Sequence, residues 1–254
     1  MSIDNHFNDI LHRLLCSNDN PIVTKDQLIQ CIDLTLLEEN ASPEALHQLK
    51  DQSRINHVAA VCVLPKHLHE FHHHPEIKLA TVINFPHGDE SLLACLTDLD
   101  NAIQLGAQEI DYVLPYQHYL TGNKQKALNH CDVIIQTCKK YQVTLKIILE
   151  TGAFPDMESI YQVSTELITL GGRFLKSSTG KTPLGATLAA VFAIASAIKD
   201  SSESSCGIKV SGGIKTPHQA QQYAQLVELI MEKTIHNDWF RIGASSLLNE
   251  LTKC

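Results

Sequence analysis

The sequence predicts an α/β fold of the (β/α)8 TIM barrel type, with an extra N-terminal helix. Short apolar segments typical of buried strands alternate with longer segments whose apolar residues recur at helical spacing. Eight strand segments occur within 254 residues, and eight strand–helix alternations in a chain of about this length are typical of the barrel.

Each predicted strand is a short run of mainly apolar residues. In chain order the eight strands are residues 31–35, 57–63, 79–85, 109–114, 144–150, 173–176, 207–210 and 240–243. Between them, apolar residues at three- and four-residue steps predict helices, for example within residues 92–103, 127–138 and 160–170. Pro43, Pro155 and Pro217 lie near the starts of helical segments, where a missing amide hydrogen costs little.

We expect one domain over residues 1–254, with residues 1–30 as a helical cap on the barrel floor and residues 31–251 as the barrel. The main alternative is a doubly wound open sheet. That fold commonly carries a G-x-G-x-x-G turn after its first strand or a P-loop, and the sequence contains neither. The barrel is therefore favoured.

Composition limits the classes of function. The net charge of −8 argues against a nucleic-acid-binding protein, because no basic stripe is available to neutralise phosphates. Apolar stretches are broken by charges before they reach the length of a membrane span, and the first residues lack the features of a secretory signal. We therefore expect a cytoplasmic protein with no membrane partner, whose eight cysteines are reduced and mostly buried.

Two predicted strands carry a lysine at or next to their last residue, and each is followed by a polar turn that contains glycine. Lys176 ends the sixth strand and Lys209 lies in the seventh. A free lysine has a pKa of about 10.4, so at pH 7 only about one amine in two thousand is a nucleophile. Burial and a neighbouring cation both disfavour the charged form. The pair predicts a Schiff-base site in which one lysine attacks and the other stays charged, although the residues do not decide which; the alternative is two strand-end lysines in surface salt bridges.

Asp111 is a candidate for the proton transfers of that chemistry. Alternation along the fourth strand places its carboxylate on the face opposite Ile110, and a carboxylate inside a barrel needs a cation or water as partner. It could position a water for proton transfer, or it could be a structural partner of Lys146. Asp33 on the first strand is a similar but weaker candidate.

Three turns after the last three strands predict a phosphate site. Glycine lets the backbone approach an anion, and serine and lysine add donors. In such barrels the loops after the last strands commonly hold phosphate. The candidate residues are Gly180, Lys181, Gly212, Gly213, Ser245 and Ser246.

Two other features have simpler interpretations. Residues 67–74 contain five histidines, with His69 and His73 at i, i+4 spacing. A metal site would need these side chains to converge in a cleft, so we interpret the run as a solvated surface patch and predict no metal. Cys62 on the second strand could face the barrel interior, and we expect it to serve packing.

Seven blocks of the sequence, in order, resemble the 2-deoxyribose-5-phosphate aldolases, class I aldolases of the DeoC type. The similarity runs from about residue 29 to 251, and the blocks are residues 59–65, 80–88, 106–116, 145–152, 176–181, 209–213 and 241–246. The resemblance implies a reversible cleavage of 2-deoxy-D-ribose 5-phosphate to D-glyceraldehyde 3-phosphate and acetaldehyde, without a cofactor or metal.

The resemblance also implies roles for residues. Lys176 matches the Schiff-base lysine, Lys209 the lysine that lowers its pKa, and Asp111 the carboxylate of the proton relay. The glycine, serine and lysine positions of the three turns match the family's phosphate-binding residues. Family resemblance further suggests a homodimer. Two other functions remain open at this point: a non-catalytic phosphosugar-binding barrel, and a metal-dependent lyase that uses the histidines.

Overall fold

Eight parallel strands close into a barrel in the structure, a computed structural model that describes residues 3–16, 23–201 and 205–253. The strands are β1 (Ile32–Leu36), β2 (Ala60–Val63), β3 (Leu79–Ile83), β4 (Glu109–Val113), β5 (Thr144–Ile148), β6 (Phe174–Lys176), β7 (Gly207–Ser211) and β8 (Phe240–Ala244). Each pairs with the next along the chain, and β8 pairs with β1. The predicted barrel is confirmed, and the β1–β8 pairing excludes the open sheet.

The helices surround the barrel and connect its strands. They are α1 (Ile3–Cys16), α2 (Lys25–Gln30), α3 (Pro43–Asn56), α4 (Leu92–Gln104), α5 (Tyr116–Leu120), α6 (Lys124–Tyr141), α7 (Met157–Thr169), α8 (Leu188–Asp200), α9 (Pro217–Met231) and α10 (Leu247–Thr252). Pro43 and Pro217 occupy first turns, as predicted. The side chains of Ser42 and Thr216 accept backbone N–H groups of those turns and so fix where the helices begin.

The connection between β2 and β3 differs from the prediction. Residues 57–59 belong to no strand, because His57 ends α3 in the left-handed conformation, with φ of 51°. After β2 the chain forms a 3-10 helix, Pro65–Phe71, rather than an α-helix. His69 lies inside this helix and His73 beyond its end, so the two histidines do not share a helix.

The N-terminal segment contains two helices rather than one cap. Helix α1 packs against α7, α8 and α9 on the outside of the helical ring, with Phe7 against Phe192 at 5.2 Å between ring centroids. The reason lies in α8, whose residues 190–198 are all buried. A helix that is apolar on every side needs a second layer outside it, and α1 supplies that layer. Helix α2 ends at Gln30 and leads directly into β1.

The register of the strands determines which side chains meet inside the barrel. Lys176 on β6 pairs with Lys209 on β7, which in turn pairs with Arg241 on β8. On the opposite side, Asp111 on β4 pairs with Lys146 on β5. Charged residues from neighbouring strands therefore lie at matching heights in the interior.

The predictions drawn from composition concern membrane-spanning helices and the state of the cysteines. No helix in the described part of the chain has both the length and the apolar character needed to cross a bilayer. Every cysteine within residues 3–16, 23–201 and 205–253 is a free thiol, and all of them except Cys16 are buried. Cys254 lies outside the described residues.

Candidate active site

The amines of Lys176 and Lys209 meet on one carboxylate oxygen. Each Nζ lies 2.7 Å from Oδ2 of Asp111. Strand β6 ends at Lys176, and its parallel pairing with β7 puts Lys209 alongside. All three side chains are buried. The structure thus brings together the three residues that the sequence placed on different strands, and it excludes the alternative of two surface salt bridges.

Asp111 serves both partners that the sequence analysis considered. Its Oδ1 accepts a hydrogen bond from Lys146 at 3.0 Å, while its Oδ2 accepts from Lys176 and Lys209. The structural interpretation and the catalytic one are therefore compatible, because the two oxygens face different lysines.

Further charged residues surround Lys176, Lys209 and Asp111 in the barrel interior. The seven residues that we call the buried cluster are at most 3% exposed; they are Asp33, Glu109, Asp111, Lys146, Lys176, Lys209 and Arg241. Lys146 lies 2.5 Å from Glu109 and 3.3 Å from Asp33, and Lys209 lies 2.5 Å from Asp33. Arg241 lies 2.6 Å from Asp33 and 3.0 Å from Glu109. Buried charges are stable only when paired in this way.

Sequence reasoning gave Asp33 a minor role and did not single out Glu109 or Arg241. A signal for Glu109 was present, because residues two apart on a strand share a face and Asp111 had already been placed inside. For Arg241 the sequence gave none, since its partners Asp33 and Glu109 lie more than a hundred residues away.

The environments of the two lysines push their pKa values in opposite directions. Burial, together with the neighbouring Lys209 ammonium, outweighs the Asp111 carboxylate and lowers the pKa of Lys176. Burial also disfavours charge on Lys209, but the carboxylates of Asp111 and Asp33 outweigh it and raise the pKa of Lys209. Lys209 is thus held as an ammonium, whereas Lys176 is the amine that loses its proton more readily.

Asp111 remains a carboxylate. Burial alone would raise its pKa, but Lys146, Lys176 and Lys209 hold the pKa of Asp111 well below its usual range. An ionised carboxylate that bridges two lysines can accept a proton from one while the other keeps its charge.

A cavity of about 220 Å³ opens above Lys176 at the carboxyl ends of the strands. Of the seven residues of the buried cluster, Lys176 is the one that lines this cavity. Its walls come from the loops after β1, β6, β7 and β8. The predicted phosphate-loop residues among them are Gly180, Lys181, Gly212, Gly213 and Ser245.

Two residues of the loops depart from the predicted set. Ser246 does not line the cavity; it is exposed and precedes the first residue of α10. Lys215, which the sequence analysis did not single out, does line it. With Lys176, Lys181 and Lys215 set against Glu38, the charged side chains of the cavity favour an anion.

Glycine at position 212 is required by its surroundings. Its φ is +100°, which side chains rarely adopt, and an added Cβ would lie 2.8 Å from Cα of Gly185. The turn after β7 therefore packs directly on the loop that leads to α8. The two loops together form one wall of the cavity.

Glu150 holds the loop after β6 and was missed by the sequence analysis. It is fully buried, and its carboxylate accepts hydrogen bonds from the hydroxyls of Ser178 at 2.7 Å and Thr182 at 3.1 Å, and from the Thr179 amide at 3.3 Å. From this loop, Lys181 reaches across the cavity mouth and donates to the Leu37 carbonyl at 2.9 Å. The sequence did offer a signal for Glu150, because this carboxylate ends the predicted fifth strand.

The two remaining sequence candidates have structural positions. Cys62 is fully buried in a small apolar cluster with Ala60 and Ala80 inside the barrel, and burial raises the pKa of its thiol to about 11. This position fits the expected packing role. Of the five histidines in residues 67–74, His69, His72 and His73 are exposed. Across residues 3–16, 23–201 and 205–253, no three His, Cys, Asp or Glu side chains are grouped as a metal site would require.

The chain matches solved structures over nearly its whole length. A deoxyribose phosphate aldolase from Aeropyrum pernix, described as a unique tetramer, is 25% identical with a TM-score of 0.77, and the match covers 96% of each chain. A protein described as QR15, an aldolase, is 26% identical with a TM-score of 0.76 over 88% of this chain and 95% of its own. A Coccidioides immitis protein, provisionally described as a deoxyribose-phosphate aldolase, shares the fold at 24% identity and a TM-score of 0.79, over 98% and 96%.

A family model gives the assignment. The model of the DeoC/LacD family aldolases matches residues 27–253, which include the whole barrel, the buried cluster and the loops of the cavity. The chain therefore belongs to the DeoC/LacD family of aldolases.

Proposed function

We propose that this aldolase cleaves 2-deoxy-D-ribose 5-phosphate reversibly to D-glyceraldehyde 3-phosphate and acetaldehyde, through a Schiff base on Lys176. The observation that carries the proposal is the position of one buried amine of lowered pKa at the base of a cavity whose walls are anion-binding loops. Such a reaction would serve deoxyribonucleoside catabolism.

Substrate binding uses the walls of the cavity. Gly212, Gly213 and Ser245 offer backbone or hydroxyl donors to a phosphate, and Lys215 and Lys181 add positive charge. Lys181 would exchange its bond to the Leu37 carbonyl for one to the phosphate. The aldehyde end of the sugar then points towards Lys176.

The chemical steps need one neutral amine and a nearby proton carrier. The Lys176 amine adds to the C1 aldehyde to form a carbinolamine, which loses water to give the iminium ion. The C2–C3 bond then breaks: its electrons pass into the iminium as an enamine, the C3 hydroxyl loses its proton, and glyceraldehyde 3-phosphate leaves. Protonation of the enamine at C2 and hydrolysis release acetaldehyde and the free amine.

Asp111 and Lys209 would move the protons of these steps. The Asp111 oxygen that lies 2.7 Å from the Lys176 amine lies equally close to Lys209, which stays protonated. Protons released at Lys176 can thus pass to Asp111 or to a water that it holds, and Lys209 can return one. Lys146 keeps the other Asp111 oxygen fixed at 3.0 Å.

The test joins a coupled cleavage assay to chemical trapping. Cleavage of deoxyribose 5-phosphate should be abolished in Lys176→Ala and unchanged in Lys199→Ala, a control lysine paired with Glu232 on the surface. Borohydride with acetaldehyde should leave a reduced adduct on Lys176, and EDTA should leave the activity intact. An adduct on Lys209 alone would reverse the assigned roles, and phosphosugar binding without turnover would favour the non-catalytic alternative.

Self-association is part of the proposal. We infer a homodimer in solution from the family resemblance, and the Aeropyrum pernix relative is described as tetrameric. Light scattering at assay concentrations measures the mass of the assembly. A mass equal to one chain would contradict this part alone.

A further inference from the structure

The buried cluster holds one more basic side chain than it has carboxylates. Three carboxylates, those of Asp33, Glu109 and Asp111, face four basic groups, and all seven side chains are at most 3% exposed. With every basic group protonated, the cluster would carry an unbalanced positive charge away from water. Such a charge is costly in a protein interior, and the usual outcome is that one group gives up its proton.

The four basic groups differ in how many carboxylates each one contacts, and these contacts indicate how strongly each group holds its proton. Lys146 contacts all three carboxylates. Lys209 contacts Asp33 and Asp111, and Arg241 contacts Asp33 and Glu109. Lys176 has Asp111 alone and shares its Oδ2 with Lys209. Lys176 is therefore the basic group whose proton is held least strongly.

We propose that Arg241 and Glu109 are positioning residues that set the charge balance of the buried cluster, and that this balance makes Lys176 the amine that sheds its proton. The inference rests on the Schiff-base role proposed for Lys176. Neither residue lines the cavity, so both act through the cluster rather than on substrate.

The mechanism follows from the contacts of Arg241. Its guanidinium binds Oδ1 of Asp33 at 2.6 Å and Oε1 of Glu109 at 3.0 Å, and a guanidinium stays protonated at any working pH. The Arg241 guanidinium therefore always balances part of the negative charge of Asp33 and Glu109, which the lysines would otherwise balance. With Arg241 in place, Lys146 and Lys209 satisfy most of the remaining negative charge, and Lys176 is left with an Asp111 oxygen that it shares with Lys209.

Other ionisable groups near the cluster leave the balance unchanged. Lys78 approaches Glu109 at 3.8 Å, but its side chain is 51% exposed and water screens its charge. Cys31 and Cys62 border the interior, and burial raises the pKa of both thiols, so they are neutral. Glu38, Lys181 and Lys215 face the solvent side of the cavity.

Charge-changing variants test the proposal by the direction of their effects. Arg241→Gln leaves a carboxylate without a counter-charge, so Lys176 should hold its proton to a pH higher by about one unit or more. Glu109→Gln removes a negative charge and should move the same midpoint downward by a similar amount. The double variant restores the balance and should bring the midpoint back towards that of the wild type.

Two controls separate charge from shape. Arg241→Lys keeps the positive charge but loses the paired geometry, and its midpoint should stay near that of the wild type. Arg54→Gln removes a guanidinium from a surface pair with Glu76, 3.1 Å away, and should change nothing.

The readout is the reactivity of Lys176 itself. Trace labelling with acetic anhydride over a pH series, with the Lys176 peptide quantified by mass spectrometry, gives the titration midpoint without any aldolase chemistry. Trapping with acetaldehyde and borohydride on the same samples reports the proposed function. A wild type that labels with a lowered midpoint but traps no adduct on Lys176 would overturn the proposed function and leave the charge balance supported.

The inference is overturned if the direction in which the Lys176 titration midpoint shifts does not follow the sign of the charge change in the variant. Shifts in the same direction for Arg241→Gln and Glu109→Gln, or a shift in Arg241→Lys as large as that in Arg241→Gln, would show a structural effect instead. If Arg241→Gln does not fold, Glu109→Gln decides: a folded Glu109→Gln protein with an unchanged midpoint overturns the proposal.

Discussion

A Lys209→Met variant tests whether the charge of Lys209 keeps the Lys176 amine available. Both amines lie 2.7 Å from the same Asp111 oxygen, so they are at most about 5.4 Å apart, twice that distance. Two positive charges at that separation repel each other by about 3 kcal/mol at an effective dielectric constant of about 20. Removing one charge should therefore raise the pKa of Lys176 by about two units.

The expected consequence is a displaced pH profile. At neutral pH the fraction of free Lys176 amine should fall by about 100-fold, and the rate of acetaldehyde trapping with borohydride should fall with it. At a pH about two units higher, trapping should recover towards the wild-type rate. The pH dependence of kcat/KM for deoxyribose 5-phosphate should move in the same direction, with an additional loss if Lys209 also donates a proton.

Matched variants make the result interpretable. Lys209→Arg preserves the charge and should keep the midpoint, whereas Lys199→Met removes a surface lysine paired with Glu232 and should have no effect. Circular dichroism and thermal unfolding establish that each variant folds. A folded Lys209→Met protein whose Lys176 titrates at the wild-type pH, or lower, would refute the electrostatic argument.

Three further predictions concern the loops and the effect of acid. Glu150→Gln replaces one acceptor of a fully buried carboxylate by a donor, which should cost about 1–3 kcal/mol of stability and raise KM for the phosphorylated substrate by about tenfold. An unchanged KM would remove Glu150 from loop positioning. Gly212→Ala brings a Cβ within 2.8 Å of Gly185 and should destabilise the protein and raise KM. Gly106→Ala is the control for backbone strain alone, because Gly106 also has a positive φ, +91°, but has open space around it. Equal losses in both would show that the contact is unimportant. Asp33 and Asp111 have lowered pKa values, so their contribution to stability is fully present above about pH 4, the ordinary range of the unfolded side chain, and is lost as the pH falls below it. Chemical denaturation at several pH values measures this slope, and a stability that is flat from pH 6 to pH 3 would contradict it.

Most strands were predictable because a strand inside a barrel is an apolar run bounded by polar turns. The exceptions had local causes that compete with that pattern. His57 ends a helix in the left-handed conformation instead of starting β2. After β2 the chain forms a 3-10 helix that begins at Pro65 and ends at Phe71, within the histidine-rich residues 67–74. The outward position of α1 depended on the apolar surface of α8, which periodicity within α1 alone does not reveal.

Within the site, the two lysines at strand ends and Asp111 were found, whereas Glu109, Arg241 and Glu150 were missed. Lys176 and Lys209 were visible because lysine at the end of a buried strand is unusual and both lie next to glycine turns. Arg241 was not, because the partners that explain its burial are distant in sequence, and Glu150 was missed although it ends the predicted fifth strand. Which of the two lysines lines the cavity depends on how deep in the barrel each amine lies, and the spacing of residues along the strands does not give that depth.

The barrel, the strand ends that carry the lysines and the loops that suit an anion could all be inferred from the order of the amino acids. These features follow from local patterns of burial, alternation and turn formation. The charge balance of the interior could be read only from the folded barrel, because it depends on seven side chains from six strands that lie within hydrogen-bonding distance of one another. Coulomb energy varies with separation in space, so the protonation of Lys176 is a property of the closed barrel.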